Sequence, residues 1–177
     1  KQILDSLGID KNKPEKQQRN QTGSPILEEG DILLNTTLAE TSDWQQVDLP
    51  VVSTLRHFCI ETLSSYTEDN QACISEVDLL DDKGQPIDKT KWEVVYVSSE
   101  QADKNLGIAE NLFDGDISSF WHTDPATEPG QPHRIIVDIK EIYKISALRF
   151  KVRKGAFLSG KVKEINVYGR PQFFLFH

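Results

Sequence analysis

The sequence predicts an all-β protein, an antiparallel β-sandwich preceded by a short arm. Three observations carry that reading. Eight short apolar-rich runs follow residue 31. Turn-forming stretches rich in Asp, Gly and Pro separate them. No segment between them has strong helical periodicity, and strands in succession without helices fit a sandwich or barrel, not a βαβ enzyme fold.

Taken in order, residues 1–10 (KQILDSLGID) place Ile3, Leu4 and Leu7 at helical spacing, enough for a turn or two. Residues 11–25 contain no large apolar side chain and read as linker. Residues 1–25 are therefore expected to be an N-terminal arm, helical or extended, and 26–177 the sandwich. Beyond Asp31 the period changes to two, with runs at 32–38, 44–49, 55–63, 73–80, 92–98, 134–139, 146–152 and 162–168. Asp82-Lys83-Gly84, Asp114-Gly115-Asp116, Glu128-Pro129-Gly130 and Lys154-Gly155 supply turns between them. In 146–152 the alternation is clean, Leu148, Phe150 and Val152 facing one way and Ala147, Arg149 and Lys151 the other. The apolar stretch 173–176 is expected to be a last strand packed on the core, since left exposed it would invite aggregation.

The 177 residues suit one domain with an extension. A formal net charge of −8 disfavours nucleic acid and anionic lipid as partners. No apolar run approaches the roughly 20 residues that cross a bilayer. The complete lack of Met, position 1 included, implies a processed chain or a piece of a longer one. Cys59 and Cys73 either bridge adjacent strands or are buried free thiols; with no C-x-x-C, zinc and thiol redox chemistry are not expected. No Gly-x-Ser-x-Gly, Gly-rich phosphate loop or His-Glu-x-x-His occurs, so no catalysis is expected.

The densest chemical signal is in residues 109–139. Asn111, Asp114 and Asp116 surround Gly115, and Thr123 follows seven residues after Asp116. Hard oxygen donors on a tight loop suit Ca²⁺, which takes six to eight ligands at about 2.3–2.6 Å, although the spacing is not that of an EF-hand. The alternative is an ordinary Asp-Gly turn ahead of a buried Trp121.

Three stretches of this region together resemble the first half of a discoidin, or coagulation-factor type C, domain. They are Glu110-Asn111-Leu112-Phe113-Asp114-Gly115-Asp116, then Phe120-Trp121-His122-Thr123, then Pro132-His133-Arg134-Ile135-Ile136-Val137-Asp138-Ile139. Residues 145–153 and 162–168 continue the pattern. The family includes the family-32 carbohydrate-binding modules and implies a galactose-binding-like jelly roll. Asp43-Trp44-Gln45, Arg56-His57-Phe58-Cys59-Ile60-Glu61 and Ile74-Ser75-Glu76-Val77-Asp78-Leu79 resemble the family's second half, which implies that the two halves are circularly permuted. The other explanation is two halves from neighbouring domains.

The resemblance also implies a structural Ca²⁺ held by the carbonyls of Asn111 and Asp116, the carboxylates of Asp114 and Glu76, and Thr123. Glu76 lies mid-strand among apolar residues, where burial of an unpaired carboxylate is costly and a cation would offset the cost; the alternative is an outward-facing residue. Binding in the family occurs at loops on one end of the sandwich. Sugar recognition needs an aromatic face and polar donors, for which the candidates are Tyr66, Asn70, His122, Arg153 and Phe157. Where the family reads Leu-Pro-Arg-Gln, this chain has Lys151-Val152-Arg153-Lys154 and retains only the Arg. The expected function is a non-catalytic, calcium-stabilised carbohydrate-binding module for a galactose-like or related sugar. It would belong to an extracellular, cell-surface or periplasmic protein, tethered to a catalytic or adhesive domain. The competing expectation is a protein–protein adhesion or assembly module on the same fold.

Overall fold

The computed structural model describes Arg19 and residues 23–126, 130–152 and 160–177. Arg153 and Phe157, two of the ligand-binding candidates, and most of the arm lie outside the described residues. The strands are β1 (Pro25–Ile26), β2 (Ile32–Thr37), β3 (Gln45–Thr62), β4 (Cys73–Asp81), β5 (Glu93–Val97), β6 (Trp121–His122), β7 (His133–Val152), β8 (Glu164–Arg170) and β9 (Leu175–Phe176). All pair antiparallel, and no described helix is long and apolar enough to cross a membrane.

Two long strands organise the molecule. The runs expected at 44–49 and 55–63 are one strand, β3, and those at 134–139 and 146–152 are one strand, β7. Each passes through both layers of the sandwich. In the first layer, residues 57–62 of β3 pair with 133–138 of β7 and with β8, which β2 flanks, while β5 adds to the other side of β7. In the second, residues 45–55 of β3 pair with 143–150 of β7, and β4 and β6 follow. The register slips between Asp48 and Ser53 and between Leu55 and His57, and Lys140 takes a left-handed φ of 74°. Such slips bend the paired strands around the corner.

The inner faces meet in one core. Phe58, Ile60, Ile135, Val137, Ile165 and Val167 from the first layer share a cluster with Ile74, Val77, Leu79, Leu148 and Phe150 from the second. Truncating a fully buried Phe58 or Phe150 to Ala costs about 3–5 kcal/mol. A smaller cluster of Cys59, Ile136, Tyr168 and Phe174 lies on the other side of the first layer, with Leu27 and Tyr96 against it. Cys59 sits in that second cluster and Cys73 opens β4, so they remain free, buried thiols and not a bridge.

The closing segment departs from expectation. Phe174 alone of residues 173–176 is buried, while Phe173 and Leu175 are 54% and 59% exposed and Phe176 is also open. The reason is that β9 pairs with β1 in a separate two-stranded sheet instead of joining the main one. His57 pins this segment: its Nδ1 accepts the Phe174 N–H at 3.1 Å, and its ring stacks on Phe173 at 4.3 Å.

Accepting that bond requires an unprotonated Nδ1. Burial lowers the His57 pKa to about 4; Asp138 opposes the shift, and Arg56, Arg170 and Lys140 add to it. The unfolded chain takes up this proton near pH 6.5 and the folded chain only near 4. The contribution of the neutral ring is therefore complete above pH 6.5 and is lost as pH falls towards 4. Thermal unfolding between pH 7 and 4.5 should show a falling midpoint in the parent and a shallower fall in His57→Gln, which keeps an acceptor but does not titrate.

Candidate functional site

β4 places two carboxylates on one face. A register irregularity between Ile74 and Glu76 lets Ile74, Val77 and Leu79 all face the core, while Glu76 and Asp78 pair across to Lys151 and Arg149 of β7. The chain after β4 turns back beside it, with the Ile87 N–H bonded to the Leu79 carbonyl at 3.0 Å. That return delivers Lys89. Its ammonium binds the Glu76 carboxylate, the Val77 carbonyl at 3.1 Å and Asp78 Oδ1 at 2.5 Å. Arg149 takes the other Asp78 oxygen at 2.8 Å.

The acidic loop closes on the same carboxylate. A 3-10 turn, Ala109–Phe113, leads into Asp114. Buried Asn111 donates to the carbonyls of Asn105 and Phe120 at 3.2 and 3.0 Å, drawing the two ends of the loop together. Gly115, at φ 80°, aims its N–H at Glu76 Oε2, 3.1 Å away. Asp114 accepts the Asp116 N–H at 2.9 Å and the Ser119 hydroxyl at 2.5 Å. Ser119 also donates to the Asp116 carbonyl at 3.0 Å.

Glu76 is 1% exposed, and its Oε1 is buried without a partner. Burial raises its pKa to about 7, against the pull of Lys89 and the Gly115 N–H, and the Asp114 carboxylate beside it adds to the rise. The Asp114 carboxyl is likewise raised by desolvation, opposed by Ser119 and the Asp116 N–H. Two neighbouring carboxyls held above their ordinary range are an arrangement that a further cation would relieve. Among the described residues no three His, Cys, Asp or Glu side chains form a metal-binding group, so an ion here would draw on carbonyl and hydroxyl oxygens as well. A cleft of about 350 Å³ opens beside the loop, lined by Lys89, Thr90, Glu110, Phe113, Asp114 and Gly115. Arg19 of the arm closes on this region, bonding Glu100 at 3.0 Å and Glu110 at 2.5 Å.

The structure thus brings Asn111, Asp114, Asp116 and Glu76 together but leads Thr123 elsewhere. Thr123 is buried, donates to Gln71 Oε1 at 2.6 Å and accepts the Ala72 N–H at 3.0 Å, fastening the exit of β6 to the start of β4. The hydroxyl in the acidic loop is that of Ser119, five residues after Asp114. Its place three residues after Asp116, within reach of the Asp-Gly turn, was the available signal. Lys89 left no local signal, because only the return of the chain along β4 brings it to Glu76.

The sugar-binding candidates divide similarly. Residues 64–71 clasp Gly160, whose N–H binds Thr67 Oγ1 and Asp69 Oδ2 at 3.0 and 3.1 Å. Gly160 has φ 76°, and a Cβ there would stand 3.0 Å from the Ala72 backbone, so glycine is required. Tyr66 is half-buried: its hydroxyl donates to the Leu38 carbonyl at 2.7 Å, and Lys163 lies 5.5 Å over its ring. Asn70 is exposed in a left-handed turn, with its carbonyl bound by His133 Nε2 at 2.7 Å. His122 is not open to a ligand; it is buried, with Nδ1 on the Thr123 carbonyl at 2.6 Å. The pairing of β6 with β4 places it in the interior.

Removing Lys89 tests the charge balance. Lys89→Ala leaves Glu76 and Asp78 short of a cation and should cost about 3 kcal/mol in urea unfolding at pH 7. A second change, Glu76→Gln, should recover part of that loss.

Comparison with known proteins agrees with the architecture. Residues 94–172 match the F5/8 type C domain. A sialidase from Micromonospora viridifaciens is 33% identical over 84 residues, which is 46% of this chain and 13% of that protein. The chain therefore corresponds to a small part of that relative. Residues 94–172, which run from β5 through β8, are thus similar to the F5/8 type C, or discoidin, domain, while β2, β3 and β4 lie outside the matched stretch.

Proposed function

We propose that this protein is a non-catalytic carbohydrate-binding module, stabilised by calcium and carried by a secreted or cell-surface protein. The observation that carries the reading is the match of 94–172 to the F5/8 type C domain, together with a relative that is a sialidase. A sialidase acts on glycans, and a sugar-binding segment tethered to such a catalytic or adhesive domain raises its local concentration at a glycan surface. On this reading, residues 26–91 supply the strands that ordinarily follow the matched segment, in permuted order. The ligand is a galactose-like or related sugar, taken at the loop end that carries Tyr66 and Asn70.

Calcium is proposed from the chemistry of the donor set. The orphaned, buried Glu76 Oε1 and the adjoining Asp114 carboxyl are two hard anionic donors. The carbonyls of Asn111 and Asp116 and the Ser119 hydroxyl complete the proposed set. Bound there, the ion would supply charge compensation that Lys89 gives only to the other Glu76 oxygen. A second reading, a protein-adhesion module on the same fold, draws on the exposed Phe173 and Leu175.

Two measurements test these proposals. Free Ca²⁺ at a hundred times its dissociation constant should raise the melting midpoint of chelator-treated protein by roughly 5–10 °C, and Glu76→Gln should abolish the rise. A midpoint unmoved by either chelator or Ca²⁺ would remove calcium from the account. A glycan array at high protein concentration should light up galactose-containing or related sugars. Silence across the array would favour the protein-adhesion reading.

A further inference from the structure

We infer that Trp44, Arg149 and Lys151 form a binding site for a carboxylated sugar on the outer face of the β3–β7–β4 layer, distinct from the loop candidates above. The inference rests on the carbohydrate reading and names the class of sugar.

The chain has three tryptophans. Trp92 and Trp121 are in the core, whereas Trp44 is 40% exposed. Trp44 immediately precedes β3, and the Gln46–Arg149 pairing carries it to the side of Lys151, on the face opposite Leu148 and Phe150. Arg149 Cζ lies 5.3 Å from the centre of its ring and Lys151 Nζ lies 6.0 Å from it. Both cations lie over the ring, so a partly exposed indole and two positive charges stand together at one place on this face.

The cations are incompletely used. Lys151 donates to the Ser42 carbonyl at 2.7 Å, and among the described residues no carboxylate pairs with it. Arg149 shares Asp78 with Lys89, and its Nε is buried with no partner. Asp48, on the same strand face, is bonded by Gln46 at 2.9 Å. A pyranose stacked through its C–H face on indole, with its carboxylate toward a guanidinium and an ammonium, satisfies both parts of the site at once. A neutral sugar uses only the ring. The loop that carries Trp44 is tied at both ends, by Tyr66 on the Leu38 carbonyl and by Lys151 on the Ser42 carbonyl, so little ordering remains to be lost on binding.

The test titrates the full chain with sialyllactose, digalacturonate and lactose, following tryptophan fluorescence and calorimetry. The two acidic sugars should change the fluorescence saturably and bind at least tenfold more tightly than lactose, with the preference falling in 0.5 M salt. Trp44→Phe should remove the fluorescence change. Trp44→Ala should weaken the acidic sugars at least tenfold, and Lys151→Gln should erase the preference over lactose while an unchanged melt shows the fold intact. Equal affinity for acidic and neutral sugars, or acidic-sugar binding undisturbed in Trp44→Ala, would overturn the site and leave the carbohydrate reading standing. Binding of none of the three sugars, joined to a silent glycan array, would overturn both.

Discussion

The antiparallel ladder between β3 and β7 is the constraint from which the rest follows. The two strands are 18 and 20 residues long and remain partners through both layers of the sandwich. A ladder of that length cannot stay flat, because paired strands twist. The twist is concentrated where register slips and where Lys140 takes a left-handed conformation. Every other strand of the main sheet except β2 and β6 pairs with one of these two. The strands from β2 through β8 thus build one sandwich around this pair. The corner also leaves Val51, Val52 and Ile142 exposed, since the strands there have turned out of both layers.

The same ladder fixes the chemistry of the second layer's outer face. With Leu148 and Phe150 committed to the core, Arg149 and Lys151 must face outward, and register then sets them opposite Asp78 and Glu76. Two carboxylates on adjacent positions of one strand face repel unless cations intervene. Lys89 answers from the returning chain, Arg149 from the neighbouring strand, and the Gly115 N–H from the acidic loop. Glu76 is therefore the junction between the sheet face and the loop. Its unpartnered oxygen marks the point at which the protein's own groups fall short.

Much of this was legible in the sequence, and what was not has a common cause. Strict alternation in 146–152 assigns the two faces of β7 correctly, because each residue's face depends only on its neighbours. The continuity of β3 and β7 was hidden, since Pro50 and the run Lys140-Glu141-Ile142-Tyr143-Lys144 break the apolar period at the corner, where the pairing shifts register and then resumes. Glu76 was identifiable as a carboxylate in an apolar strand. Lys89, thirteen residues away, was not, because its position depends on one long-range pairing between Ile87 and Leu79. The displacement of Thr123 has a related reason: the short strand β6 carries it away to pair with Ala72, while Ser119, for which no expectation stood, bonds Asp114 in the loop. Trp44 reads in sequence as one more strand-edge aromatic, and its exposure emerges only from the register that seats it beside Lys151.

The overall charge of −8 takes a different meaning once the residues are placed. A uniformly acidic surface would repel an acidic glycan over the roughly 8–10 Å range of unscreened electrostatics at physiological salt. The acidic groups are not uniform: Glu61, Glu76, Asp78 and Asp138 are largely buried and engaged by Arg134, Lys89, Arg149 and Arg56. Their fields are cancelled at short range, so they contribute little to the long-range repulsion that net charge suggests. Beside Trp44 stand Arg149 and Lys151, and among the described residues no carboxylate forms an ion pair with Lys151. Local pairing, set by strand register, thus decides the sign of the field at this face more than composition does.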